Sequence, residues 1–299
     1  MNDEIIRKLQ HFFPGEQFSE KSVADDLANG VILSGNEPIL PYLQTALLDE
    51  KVLEVQLDGM PMVYFSRLKD DVPAPAEVEV EGEIVLVQPE TAEGEYLTTM
   101  SHIITLPLEP GLGNLHLRYS HAIILRMFTN TVAVEIATTF EDLATVQEIP
   151  VLRLAYPSLA RIVRNAREYR VKVPDSLIFT VSIALDDEAP ELETRPVNIS
   201  IRGLSFSVNK KEQKLFKINS MYSMKLFVDD ELLIRISGTV KHLARIRKRL
   251  GIEHICGIEF DFRTKTQSAV IESIVALVQR AHLKELAEKS DATGIRLIS

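Results

Sequence analysis

The stretch RPVNISIRGLSFSV (195–208) alternates apolar and polar residues along most of its length, the period-two pattern of strands with one face in a core. Asn198 and Ser200 are poor β formers set inside this run, which marks a bulge or a site. Gly203 permits a backbone conformation or a close approach that a Cβ would prevent. Taken alone, NISIRG (198–203) reads either as an exposed strand ending in a bulge or as part of a binding surface. It also fits an N-glycosylation triplet, which has no bearing on a cytosolic chain.

Working outward, the segments RVKV, LIFTVSIAL, SMKLFVD, LLIRISGTVKHLARI and ICGIEFDF carry the same periodicity from Arg170 onward. After Thr266 the spacing of Val270, Ile271, Ile274, Leu277 and Val278 becomes helical, and a helix is expected to about Lys289. Upstream, VLEVQLDGMPMVYFSRL reads as two strands around the turn pair Asp58-Gly59. EIVLVQP, YLTTMSHIITLPL, LHLRYSHAIILRMF, TVAVEIATTF and PVLRLAY continue as strands, whereas DDVPAPAEVEVEGE (70–83) reads as a Pro- and acid-rich loop. Ile5, Ile6, Leu9, Phe12 and Phe13 share a helical face near the start, and a second helix follows with Ser19 or Ser22 as cap and Gly30 as stop. A short helix is expected at 39–49.

The expected fold is therefore mainly β: two antiparallel barrel-like domains in tandem, with short N-terminal helices and a C-terminal helix packed on the second barrel. The divisions are 1–35 (helical extension), 36–165 (first β domain), 166–290 (second β domain) and 291–299 (tail).

Bulk properties narrow the function. The 299 residues carry a net charge of −10, with 45% hydrophobic and 25% charged residues. That balance opposes a nucleic-acid polymer as partner, because such affinity rests on neutralising many phosphates. A small phosphate ligand held by a local arginine cluster stays open. One cysteine, Cys256, excludes an intrachain disulfide and a thiolate zinc site. No apolar run approaches the roughly 18 residues of a membrane span, and the N-terminus lacks a signal-peptide core, so a cytoplasmic location is expected. HExxH, GxSxG and Walker A motifs are missing. GLGNLH (111–116) reads as a turn between strands, and His102, His116 and His121 as strand histidines. No cofactor, metal site or catalytic constellation is expected.

The arginines stand apart. Arg161, Arg164, Arg167 and Arg170 recur every three residues at the junction of the two β series, with only Glu168 opposing them. Guanidinium groups bind phosphate in a bidentate manner, hydrogen-bond the guanine O6/N7 edge and stack on its plane. A charged linker that solvates a domain junction has the same composition. KHLARIRKRLG (241–251) is a second basic cluster, read as a solvated turn, a loop flanking the site or a partner-facing patch.

In this order the pieces resemble the PilZ domain, a bacterial receptor module for cyclic di-GMP, over about Arg164 to Ala287. Its pattern is an RxxxR motif followed some thirty residues later by (D/N)xSxxG, which Asn198, Ser200 and Gly203 match. GIEF (257–260) and the helix after it resemble the family's last strand and C-terminal helix. PVLRLAYPSLARIVRNAREYRV is similar to the junction of YcgR-type proteins, the flagellar brakes, whose N-terminal β domain would cover about Pro38 to Ala166. The arginine motif departs from the pattern. With Arg170 as the second arginine, the first falls on Ala166, preceded by Asn165; with one residue deleted, REYR pairs Arg167 with Arg170. The shortened alignment is preferred because Glu168 and Tyr169 match the usual intervening residues, and Arg164 would then reach in from one turn earlier.

The resemblance implies a cyclic di-GMP effector that is not an enzyme. Arg164, Arg167 and Arg170 would hold phosphate and guanine, Asn198 and Ser200 would contact a guanine edge beside Arg202, and Gly203 would leave room. Binding would reorient the N-terminal domain and alter contact with an unidentified protein partner, the flagellar motor being one candidate, in control of motility or surface behaviour. A homo-oligomer is compatible with this. The alternative is a degenerate PilZ protein that binds no nucleotide and acts as an interaction scaffold, which Ala166 favours.

Overall fold

Residues 2–71, 76–80, 83–87, 92–129, 132–164, 166–185, 190–248 and 251–293 are described by a computed structural model of the chain. The chain divides into two units, Met1–Arg167 and Glu168–Ser299.

The first unit begins with α1 (Asn2–Phe12) and α2 (Glu20–Ala28). Ser19 is the cap of α2: its Oγ accepts the Ser22 N–H at 3.1 Å, satisfying one of the donors a helix start leaves open. Then come β1 (Ile32–Ser34), α3 (Leu40–Leu48), β2 (Leu53–Leu57), β3 (Val63–Ser66), β4 (Ala76–Val80) and β5 (Glu83–Val87). A 3₁₀ turn at Glu95–Thr99 precedes β6 (His102–Thr105), α4 (Gly113–Leu117), β7 (Ile123–Phe128), β8 (Val132–Thr138), β9 (Phe140–Val146), β10 (Ile149–Ala155) and β11 (Leu159–Arg164). Six strands form one antiparallel sheet in the order β1-β11-β8-β7-β2-β3; β6-β10-β9 and β4-β5 form two smaller ones.

The N-terminal helices cover one face of the large sheet. Ile5 and Leu9 of α1, Phe13 and Val23 pack on Ile124, Ala137 and Leu159. The same face carries a charged row in strand register, Glu54 opposite Arg126, Arg126 opposite Glu135, and Glu135 opposite Arg161. Arg126 Nε donates to Glu135 Oε1 at 2.7 Å and Arg161 Nε to Glu135 Oε2 at 2.5 Å. The linker between α1 and α2 closes the row: Glu16 accepts two bonds from Arg161, at 2.6 and 2.8 Å, and Phe13 lies 3.8 Å beneath the guanidinium. A charge sequence of alternating sign lets each buried ion meet a partner, which is the condition for tolerating it.

The second unit contains β12 (Val171–Lys172), β13 (Phe179–Ala184), β14 (Leu192–Thr194), β15 (Pro196–Ser200), β16 (Gly203–Val208), a 3₁₀ turn at Glu212–Leu215, β17 (Met221–Val228), β18 (Glu231–Lys248), β19 (Gly251–Asp261) and α5 (Lys265–Thr293). Its eight strands form one antiparallel sheet in the order β12-β15-β16-β19-β18-β17-β13-β14. Val171, Ile199, Leu204, Ile258 and Val240 make a buried row straight across five strands. Strand alternation then puts Lys172, Asn198, Ser205 and Gly257 in register on the opposite face, and a register shift between Val240 and His242 brings His242 to that face opposite Gly257. The helix α5 packs on β12 and β18 and buries Ile271, Ile274, Val275 and Val278, an i, i+3, i+4, i+7 stripe.

Several segments differ from the sequence expectation. Residues 76–80 form β4 and not a loop, because the Glu/Val alternation pairs with β5 through Val78 opposite Val85; 72–75 and 81–82 lie outside the described residues. YLTTM is largely the 3₁₀ turn, held by Tyr96, whose hydroxyl donates to Lys69 O at 3.1 Å. LHL belongs to α4: Asn114 Oδ1 accepts from Leu108 N–H at 2.8 Å, and Gly113 lies against the buried Tyr64 ring. His116 is therefore helical, and its Nδ1 meets the Tyr64 hydroxyl at 2.8 Å; His121 precedes β7. The basic run 241–248, whose first six residues close the expected strand LLIRISGTVKHLARI, is strand and not a solvated turn: it continues β18, paired with β19 through Leu243 opposite Cys256 and Arg247 opposite Ile252. Helix α5 begins at Lys265 and extends to Thr293.

Candidate functional site

The β15–β16 hairpin organises the motif 198–203. Ser200 pairs with Gly203 across a two-residue turn, Ile199 with Leu204 and Asn198 with Ser205. A register shift between Pro196 and Asn198 bends β15 just before the motif, as a β-bulge does. Ser200 is buried, and its hydroxyl donates to the Gly203 carbonyl at 3.2 Å; this side chain secures the turn. Gly203 is required by close approach, because a Cβ there would run into the Ile258 carbonyl oxygen of β19. The Phe260 N–H donates to the Arg202 carbonyl at 2.7 Å, so the turn is fastened to β19 at its tip.

Asn198 and Ser205 face one another in register. Asn198 Oδ1 and Ser205 Oγ are both shielded from solvent without a hydrogen-bond partner, and Ser205 as a residue is only 2% exposed. Each such atom costs about 1–3 kcal/mol while unpaired, and the two together give this face acceptors that the chain itself does not use. The row continues through Gly257, whose missing side chain leaves the space that the His242 ring fills.

Charge gathers at one end of this surface. Arg202 Nε donates to Glu168 Oε1 at 2.7 Å. Burial pushes the Glu168 carboxyl up; Arg202 and then Arg170 pull it down, and Glu259 pushes it up again. Glu259 lies opposite Gly203 in register and is held by Lys241 Nζ at 2.9 Å. Arg170, just before β12, and Arg202 are exposed. The structure thus brings together Arg170, Arg202 and the hairpin residues Asn198, Ser200 and Gly203 in the second unit. Arg164 and Arg167 belong to the first unit and are exposed; Arg164 ends β11 opposite Val132. Ala166 is half-buried, and Asn165 lies outside the described residues. Arg161, the first of the arginine series, is committed to the charged row of the first unit.

Glu168, Ser205, His242, Lys241 and Glu259 were not singled out as site residues in the sequence. For Ser205 the clue was present: a two-residue turn at 201–202 places it opposite Asn198. His242 lies where an expected strand overlaps a basic run, and nothing local shows that its ring faces Gly257. Cys256 is buried, and burial pushes its thiol up to about 12, so it is no nucleophile at neutral pH. Among the described residues no cluster of three or more His, Cys, Asp or Glu side chains suited to a metal occurs, and no described helix is long and apolar enough to cross a membrane.

Residues 164–278 match the family model of the PilZ domain, and the chain carries a PilZ domain over this stretch. Among solved structures, YcgR of Escherichia coli in complex with c-di-GMP is similar at 12% identity over 89% of this chain and 98% of that chain, with a TM-score of 0.34. MrkH of K. pneumonia in complex with c-di-GMP aligns at 12% identity over 85% and 98%, TM-score 0.35. The inhibitor of motility MotI/DgrA of Bacillus subtilis aligns at 10% identity over 77% and 96%, TM-score 0.31. No curated protein matches the chain.

Proposed function

We propose that this protein is a cyclic di-GMP receptor and not an enzyme. One observation in the PilZ domain carries the reading: Asn198 Oδ1 and Ser205 Oγ, adjacent and buried without partners, lie on the hairpin whose turn carries the cation Arg202. Guanine presents N–H donors that an amide oxygen and a hydroxyl accept, and a phosphodiester suits guanidinium. On this reading Asn198 and Ser205 receive a guanine edge, and Arg202 and Arg170 meet phosphate. Arg167 and Arg164 join them from the lead-in segment, Ser200 and Gly203 hold the turn, and no cofactor is needed.

Ligand capture by 164–170 acts on the segment that covalently joins the two units. The proposed output is a reorientation of the first unit and an altered contact with a protein partner, the flagellar motor among the candidates, in control of motility or surface behaviour in the cytoplasm. Self-association of the chain is a second possible output. Ala166 and the Glu168–Arg202 pair favour the other reading, a PilZ scaffold that binds no nucleotide.

Calorimetric titration with cyclic di-GMP separates the two. Saturable heat is expected, and its absence at ligand concentrations on the order of tens of micromolar refutes the receptor reading. Arg170→Ala should weaken binding about 10- to 100-fold, the loss of a charge-assisted contact. Asn198→Ala should weaken it about 5- to 10-fold, the loss of a neutral one.

A further inference from the structure

Glu168 is a carboxylate placed among the cations of the site. Its side chain is 16% exposed while Arg202 is 44% exposed, so the acid is the more deeply seated member of the pair. Arg202 reaches it at 2.7 Å, and Arg170 acts on it from the lead-in segment. Glu259 of β19, itself held by Lys241, opposes it. Burial outweighs the two arginines, since the carboxyl is pushed up despite them. A seated anion that is held at a cost and satisfied by guanidinium has the chemistry of a phosphate oxygen in the same position.

Building on the cyclic di-GMP reading of this site, we infer that Glu168 is a resident anion that occupies the phosphate position at Arg202 and must leave before a phosphate can bind. The contact raises the ligand concentration at which the site fills, because only the fraction of molecules with Arg202 released is competent to bind. Arg202 then has two states, paired with Glu168 or paired with ligand. The lead-in segment that carries Glu168 between Arg167 and Arg170 is released in the second state. Intramolecular competition of this kind joins ligand capture to movement of the lead-in segment without any further contact.

Inorganic pyrophosphate tests the inference apart from guanine recognition. The full chain, labelled with ¹⁵N, is titrated while the Arg202 Nε–H resonance is followed, assigned by its loss in Arg202→Lys. Glu168→Gln should saturate at about tenfold lower pyrophosphate than the unaltered protein, the factor expected if the closed contact is populated about nine-tenths of the time. Glu259→Gln removes a neighbouring charge without emptying the Arg202 contact and should gain less than about threefold, from weak partly solvated electrostatics. Glu168→Asp keeps the charge but shortens the reach and should fall between Glu168→Gln and the unaltered protein. Affinity in Glu168→Gln and Glu168→Asp equal to that of the unaltered protein overturns the inference, and so does a gain in Glu259→Gln as large as in Glu168→Gln. The same variants titrated with cyclic di-GMP test the receptor reading: binding by none of them refutes that reading, while the pyrophosphate result still decides the role of Glu168.

Discussion

Arg161→Ala should be among the most destabilising single changes at any arginine of this chain, although nothing in its sequence neighbourhood separates Arg161 from Arg164. Arg161 is 17% exposed and bonds Glu135, which is 2% exposed. Removing one partner of a buried pair costs about 3–5 kcal/mol, and the low end applies because Arg126 still meets Glu135. The contact with Glu16 is partly solvated, with Glu16 49% exposed, and adds less than about 1 kcal/mol. Stacking on Phe13 contributes about 1 kcal/mol more. The expected loss is about 4–5 kcal/mol, read by urea unfolding, with amide exchange in α1 and α2 rising before exchange in β7 and β8. Arg164→Ala, at an exposed side chain with no ion pair among the described residues, should cost under about 0.5 kcal/mol. A loss below about 1 kcal/mol in Arg161→Ala, or equal effects at the two positions, would refute the structural role given to the charged row. Affinity for cyclic di-GMP should be unchanged in Arg161→Ala below its unfolding transition, where the variant is still folded, which separates this arginine from those of the lead-in segment.

Gly203→Ala places a methyl against the Ile258 carbonyl oxygen, a backbone atom that yields only if β19 moves; a loss of about 3 kcal/mol is expected, and a neutral effect in a melting curve would show that the turn does not depend on this approach. Ser205→Ala removes one buried, unpartnered hydroxyl; stability should hold or rise by up to about 1 kcal/mol while cyclic di-GMP affinity falls, and the opposite pair of results contradicts the site. The Glu16 carboxyl is held below its ordinary 4.5 by its hydrogen bonds to Arg161, with burial acting against them. Its contribution is therefore complete above the ordinary carboxylate range and is lost as pH falls through the lowered value. Protection factors in α1 should drop over that acidic window in the unaltered protein and be flat in Glu16→Gln; identical profiles would remove Glu16 from the attachment of the helices.

Much of this fold was open to reading because the relevant cues are local. Ile5, Leu9 and Phe13 recur at helical spacing, Asp58-Gly59 marks a turn, and the alternation around Asn198 and Gly203 gives strand, although it reads as one run and the structure divides it into β15 and β16 at the turn 201–202. The misread segments are those where a distant contact overrode a local preference. LHL carries no helical signature of its own strength, and Asn114 bonding Leu108 beneath the Tyr64 ring turns it into α4. The basic content of 241–248 suggests a solvated turn and the alternation of its first residues a strand; β19, running opposite and supplying backbone partners, decides for the strand. In 76–80 the proline and acid content of the neighbouring residues masked a clean period of two.

The candidate site divides in the same way. Residue types and spacing alone left Arg164, Arg167 and Arg170 open between a charged linker and a phosphate site, and NISIRG open between an exposed strand and a binding surface; the resemblance to the PilZ domain joined them into one expected site. Only the tertiary structure decided which arginines are available. It committed Arg161 to Glu135 and Glu16, set Glu168 against Arg202, spent the Ser200 hydroxyl on its own turn and left Asn198 Oδ1 and Ser205 Oγ buried without partners. The reason is that a charge or a hydrogen-bonding group acquires a role from what lies within about 3 Å of it and from how much water is excluded there. Those neighbours come from strands far apart in sequence.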